Sequence, residues 1–342
     1  MSTGKICCLV LLTLGVLAVV VALVVILTQP KCGPQHYLHG AVAADSETCS
    51  VIGRDILKSG GTAVDAAIAG LICTSVMNPQ SSGLGGGVVF TIYNASTEPC
   101  NFVSYQQSSS ATCITLLHRA HMAMHSSGAW YTSPLICDGQ RLLEPGETFR
   151  WPALQQTLKA VAENGATAFY EGQIGQALVE DIRKAGSGIS LEDLQAYKAE
   201  VSSALNITLN SHTTVFSPGP PMGGAVLMFI LKILEEYKLH EASLATPKEK
   251  VETYHRIAEA LKFGNMLKPH MSDPAFSDTQ SHKGSITLSA SALGEKPPSA
   301  MVPSILISKT GDMLVIGGAG GAWIISATAM VSEQEPHSNA SH

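Results

Sequence analysis

Apolar positions run from Ile6 to Leu27, interrupted only by Thr13 and Gly15, and only then become periodic. That first stretch, ICCLVLLTLGVLAVVVALVVIL, holds 22 residues and no charged side chain. At about 1.5 Å per helical residue it spans roughly the 30 Å hydrocarbon core of a bilayer. It is longer than the apolar core of a cleaved signal peptide (~7–15 residues), and it ends at Thr28-Gln29-Pro30, a poor cleavage context. The pattern predicts an uncleaved signal-anchor, with residues 1–5 as a cytosolic tail, 6–27 as a transmembrane helix and 28–40 as a linker. Lys5 on one side and Lys31 on the other give only a slight charge bias. A large body behind an N-terminal anchor favours a cytosolic N-terminus, hence a single-pass type II plasma-membrane protein with its bulk outside the cell.

Beyond the anchor, helical and strand periods alternate. Helices are predicted over Cys49–Lys58, stopped by Gly60-Gly61, and over Ala63 to about Val76, which is apolar all round except for Asp65 and so reads as buried. Ser82 to Gly87 is glycine-rich but feeds a strand, Val88–Tyr93, and lacks the Lys-Ser/Thr of a phosphate loop. Its glycines read as backbone that comes close to another layer or to a substrate. Asn101–Cys137 shows no clear period. Further on, Pro152 opens a helix that ends near Asn164-Gly165, Ile174–Ala185 is helical, and Ser190 with Asp193 forms a capping box. Leu205–Leu209 and Thr213–Phe216 are strands, Ala225–Leu239 a strongly apolar helix, and Lys248–Phe263 an amphipathic one. Ser304–Ser308 and Met313–Ile316 make a hairpin. Gly317-Gly318-Ala319-Gly320-Gly321 then enters a short helix, an order that presents free backbone N–H groups to an oxyanion or carboxylate.

Composition narrows this picture. About 300 residues beyond the anchor suffice for one large domain, and the alternation indicates an α/β or α+β body. A net charge of −6 argues against nucleic acid as a partner. Six cysteines lie beyond the anchor: Cys32, Cys49, Cys73, Cys100, Cys113 and Cys137. Outside the cytosol they tend to pair, but spacing alone does not say how. Asn94, Asn206 and Asn339 head sequons that fit an exported chain. His118, His121 and His125 would share a helix face, but with no acidic partner nearby they read as a solvated face, and no metal or cofactor is expected.

Several blocks resemble the gamma-glutamyltransferase (glutathione hydrolase) family. They are Ala41–Asp45 through Asp65–Ala69, Asn78–Gly87, GATAFYEG at Gly165–Gly172, Tyr254-His255-Arg256, Met301–Ile307 and Gly317–Gly321. The resemblance implies an ectodomain over 41–331 with a divergent insert at 101–137 and a tail at 332–342. It implies an α+β fold, the αββα sandwich of N-terminal-nucleophile hydrolases, here incomplete. It implies self-cleavage and then hydrolysis or transfer of the γ-glutamyl group of glutathione, or of conjugates such as leukotriene C4, to water or an amino acid. Gly320 and Gly321 match the family's oxyanion-hole glycines, and Ser299 one of two serines that hold the glutamyl carboxylate. Cys49 and Cys73 match a family disulfide. The chain also departs from the pattern. The second serine is Ala300, the family's carboxylate-binding Arg has no counterpart, and Thr-x-His-x-Ser is replaced by Gly284-Ser285-Ile286-Thr287-Leu288-Ser289, which puts Ser285 at the nucleophile position. These departures leave open a catalytically inactive membrane glycoprotein of the same lineage.

Overall fold

The computed structural model describes residues 40–79, 81–84, 87–95, 101–106 (backbone), 143–144, 146–148, 150–184, 186–275 and 296–333. The anchor at 6–27, the histidines at 118, 121 and 125, Cys32, Cys100, Cys113, Cys137, Ser285 and Asn339 lie outside them. Among the described residues no helix is long and apolar enough to cross a membrane. The chain divides into two compact units, Met1–Leu84 and Gly85–His342.

The first unit is a helix pair, α1 (Glu47–Lys58) and α2 (Ala63–Met77), joined by a Cys49–Cys73 disulfide. Gly60, at φ +91°, turns the chain out of α1, and the Gly61 N–H donates to the Ile56 carbonyl at 3.0 Å. That left-handed turn needs glycine. Thr62 caps α2: its Oγ1 accepts the Asp65 N–H at 3.2 Å, and Asp65 Oδ2 accepts the Thr62 N–H at 2.8 Å. Uniform apolarity suggested that α2 is buried, but the structure buries only its small residues Ala66, Gly70, Cys73 and Ser75. Val64, Ile68 and Ile72 stay exposed. Close approach of the two helices accounts for this: a Cβ on Gly53 of α1 would stand 3.2 Å from the Ala66 carbonyl, so only small side chains fit between them.

The second unit holds two antiparallel sheets. One is β1 (Gly87–Ile92), β2 (Asn101–Gln106) and β3 (Glu200–Ser203), in that order. Between β2 and β3 the chain forms α3 (Pro152–Asn164), α4 (Thr167–Tyr170), α5 (Gln173–Lys184) and α6 (Leu191–Ala196). β2 lies in the segment that showed no period; its register comes from β1 and β3 on either side. Ser190 caps α6 through the predicted box with Asp193. The Ser190 backbone N–H, then its hydroxyl, holds the Asp193 carboxyl below the usual carboxylate range. Thr62 does the same to Asp65 in the first unit, again first through its N–H and then its hydroxyl. Each folded carboxyl titrates below its unfolded counterpart, so the cap's contribution is complete above about pH 4 and is lost as pH falls through the lowered folded value. Amide exchange at the starts of α2 and α6 should accelerate in that acid window, and Asp193→Asn should reduce the pH dependence at α6 to what Glu192 contributes, whose carboxyl is also held low by the backbone N–H at its own position and by the Ser190 hydroxyl.

The other sheet runs β4 (Leu205–Leu209), β5 (Thr213–Ser217), β6 (Ser304–Ser308), β7 (Met313–Ile316). Its strands alternate, as a two-faced sheet requires. One face sends Leu209, Val215, Leu306 and Ile316 into the main core, against α7 (Gly224–Glu236), α8 (Pro247–Met266) and α9 (Ile324–Glu333). The other face carries Phe216, Ile305 and Ile307 against Ala204 and against Tyr93, at the end of β1. Thr91 Oγ1 donates to the Pro303 carbonyl at 2.6 Å, tying β1 to the entry of β6. α7 is the hub: Val226, Leu227, Ile230, Leu231 and Leu234 are all buried, each worth about 1.5–3 kcal/mol by area. α8 crosses it closely, because a Cβ on Gly264 would fall 2.4 Å from Ile230 Cγ1.

Candidate functional site

The exit of β7 carries a stretch whose backbone is shaped for an anion. After Ile316 the chain passes through Gly317, Gly318 and Ala319 to Gly320 (φ +121°) and Gly321 (φ +61°), makes a short 3₁₀ turn to Trp323, and enters α9. The demand for glycine here is conformational: a Cβ on Gly321 would meet nothing within 4 Å and one on Gly320 only Trp323 Cβ at 3.9 Å, but both φ values lie where L side chains are strained. The N–H groups of Gly320 and Gly321 donate to no acceptor among the described residues. They stand at the head of α9, where its macrodipole is positive. Such a turn offers two fixed donors to a developing oxyanion.

Beside it lies the loop Pro218–Gly223. The N–H of Ser299 donates to the Pro221 carbonyl at 2.9 Å, the N–H of Gly223 donates to the Met301 carbonyl at 3.2 Å, and Met222 bridges Ser299 in parallel. A Cβ on Gly223 would stand 2.6 Å from Ile325 Cδ1 and 2.9 Å from Val302 Cγ1, so loop, returning chain and the start of α9 converge on this glycine. The predicted carboxylate-holding residue, Ser299, is half-buried and its Oγ accepts the Met301 N–H at 3.2 Å. Its hydroxyl hydrogen stays available to a ligand while its oxygen shapes the local turn. Ala300 packs against the core instead.

Two groups near the turn carried no sequence signal. Lys268, in the 3₁₀ turn after α8, donates from Nζ to the Ala322 carbonyl at 3.1 Å, across 54 residues of chain. Thr328, on the second turn of α9, is buried and its Oγ1 has no partner among the described residues. The predicted nucleophile Ser285 lies outside the described residues. Among those residues no cluster of His, Cys, Asp or Glu is arranged for a metal. The sequon residues Asn94, just past β1, and Asn206, on β4, are both exposed.

A family model described as gamma-glutamyltranspeptidase matches residues 49–127 and 110–293. The glutathione hydrolase 5 proenzyme of Homo sapiens is 36% identical over 339 residues, covering 81% of this chain and 57% of that protein. Its Mus musculus counterpart is 32% identical over 482 residues, covering 94% and 83%. The chain thus spans little more than half the length of the human relative. The mouse alignment runs over 482 positions against a chain of 342, so at least 140 positions of that relative face no residue here. Among solved structures, the gamma-glutamyltranspeptidase of Helicobacter pylori superposes with a TM-score of 0.58 at 19% identity, over 72% of this chain and 88% of that one. The transpeptidase CapD of Bacillus anthracis gives 0.52 at 24%, over 68% and 94%. The mixed helix-and-sheet fold is therefore that of the gamma-glutamyltranspeptidases.

Proposed function

This chain belongs to the gamma-glutamyltranspeptidase family, and on that premise we propose that it acts on γ-glutamyl amides, as a hydrolase and transferase of glutathione and of conjugates such as leukotriene C4. The observation that carries the reading is the turn at Gly320 and Gly321, whose left-handed backbone presents, at the head of α9, two N–H groups without an acceptor among the described residues. In this reading a cut before Ser285 frees its α-amine. The amine takes the hydroxyl proton as the Ser285 oxygen attacks the substrate γ-carbonyl. The Gly320 and Gly321 N–H groups receive the resulting oxyanion, and the Ser299 hydroxyl donates to the glutamyl α-carboxylate. The C–N bond then breaks, the leaving amine departs with the proton, and a γ-glutamyl ester remains. Water, or the amine of an acceptor amino acid, attacks the ester and surrenders a proton through the α-amine to the departing serine oxygen. The route uses no metal or cofactor.

The same reading has the fold as an αββα sandwich, in a shortened form. The two faces of the β4–β7 sheet support it, one against helices and one against Tyr93 at the end of β1. It has the sandwich held outside the cell by an anchor at 6–27 and glycosylated at Asn94, Asn206 and Asn339; the exposure of Asn94 and Asn206 supports that. A second reading, an inactive membrane glycoprotein of the family, is favoured by Ala300 at the second serine position and by the positions of the mouse relative without counterpart here.

Expression of the full-length chain separates the two. The enzyme should appear as two fragments, the smaller beginning at Ser285, and should release product from a γ-glutamyl anilide. Ser285→Ala should abolish the cut and lower turnover at least about a thousandfold. A single band near 35.9 kDa plus sugars, without turnover, decides for the inactive glycoprotein.

A further inference from the structure

We propose that Lys268 completes a carboxylate-binding site on the glycine turn between β7 and α9, and that its ligand is the γ-carboxyl end of glutamate or the oxyanion that precedes it. The choice of ligand rests on the γ-glutamyl reading; the site itself rests on four observations. The Lys268 ammonium is held 3.1 Å from the carbonyl of Ala322, the residue after Gly321. Gly320 and Gly321, one and two residues before Ala322, present N–H groups that donate to no acceptor among the described residues. Among the described residues no carboxylate pairs with Lys268. Beneath the turn, the Thr328 side chain is 2% exposed, and its unpartnered Oγ1 lies 3.5 Å from where a Cβ on Gly318 would stand.

The electrostatics point one way. Helix N-termini favour anions, and cations belong at the opposite end. Here an ammonium is bonded to a carbonyl at the N-terminal end of α9, next in sequence to two N–H groups without an acceptor among the described residues, and no carboxylate among those residues balances it. A helical threonine ordinarily satisfies its hydroxyl on the carbonyl one turn back. Thr328 does not, and a buried donor left unmade is costly. An anion on the turn resolves the arrangement: it accepts from Gly320 and Gly321 and takes the ammonium, whose flexible stem lets it swing off the Ala322 carbonyl. Lys268 then supplies a positive charge at the reacting end of the substrate, distinct from the family's carboxylate-binding arginine, which has no counterpart in this chain. The competing account is a tether: Lys268 merely ties α8 to the head of α9.

Calorimetric titration of the purified full-length chain with L-glutamate, at low and at high salt, tests this, with L-glutamine as the probe that lacks the γ-charge. Wild type should bind glutamate in preference to glutamine, and more weakly at high salt. Lys268→Met should weaken glutamate binding about tenfold or more, flatten the salt dependence and erase the preference, while Lys268→Arg stays within about threefold of wild type. A tether predicts a lower melting temperature in Lys268→Met with glutamate affinity, salt dependence and preference unchanged; that result overturns the proposal, as does a folded wild type that binds no glutamate. If no γ-glutamyl anilide is turned over but glutamate binds through Lys268, the enzymatic reading fails and this site stands. If turnover occurs and Lys268→Met alters neither it nor glutamate affinity, this site fails and the enzymatic reading stands.

Discussion

Replacing Gly224 by alanine should lower the melting temperature of the second unit by roughly 10 °C, a loss of about 3 kcal/mol or more. Gly224 opens α7, and a Cβ there would stand 2.1 Å from the Pro218 carbonyl oxygen and 2.7 Å from Ser217 Oγ. A flexible side chain could yield, but a backbone carbonyl next to a strand cannot. Two effects compete. Alanine narrows the unfolded ensemble and favours folding by about 0.4–1 kcal/mol. The overlap forces α7 away from β5, and α7 carries the largest block of buried apolar side chains in the unit, so the clash wins. Gly219, five residues earlier in the same loop, is the control. Its added Cβ would only touch Leu205 at 3.6 Å, and Gly219→Ala should stay within about 0.5 kcal/mol of wild type. Equal melting temperatures for the two variants would show that the loop is not wedged against α7. The effect reaches the site as well, because the next residue back, Gly223, donates to Met301 and packs on Ile325 of α9.

That contrast marks what a sequence can and cannot carry. α3 runs from Pro152 to Asn164, the bounds that a proline at the first turn and a glycine after the last predict, and Gly165 has the positive φ that ends such a helix. The Ser190–Asp193 box and the β6–β7 hairpin were equally legible, since each is settled within a few residues. α7 stops at Glu236, short of the Leu239 that apolarity suggested; Lys238 turns left-handed at φ +49° where no glycine advertises a stop. β2 and β3 were harder to read: NFVSYQ has strand formers in Phe102, Val103 and Tyr105 but opens a stretch without a period, and EVSS is short and mostly polar. Their conformation comes from neighbours, β2 lying between β1 and a strand about a hundred residues on. The site divides in the same way. The glycine turn is written in five consecutive residues, whereas Lys268 reaches it from 54 residues away and leaves no local trace. The same holds for the clash at Gly224: the glycines of the loop are visible, but the carbonyl that excludes a methyl is not.

Breaking the Cys49–Cys73 bond, by reduction or by the double change Cys49→Ala/Cys73→Ala, should release the α1–α2 pair while leaving the β4–β7 core protected. The helices hold 12 and 15 residues, lengths that are marginal alone in water. What they bury against each other is small: Cys49 and Gly53 from α1; Ala66, Gly70, Cys73 and Ser75 from α2. Their larger apolar residues Val51, Ile52, Val64, Ile68 and Ile72 are exposed, so area burial contributes little. The disulfide closes a loop of 24 residues, worth about 3–3.5 kcal/mol in the loop-entropy picture, and that is of the same order as everything else holding the pair. Alanine is the better probe than serine here, because position 49 is fully buried and a serine hydroxyl would add its own desolvation cost. Hydrogen exchange should therefore speed up by roughly a hundredfold across residues 47–77 when the bond is lost, with amides of α7 and β5 unchanged. Protection that survives in both places would mean that contacts other than the bridge hold α1 to α2, and equal loss in both would mean that the two units unfold as one.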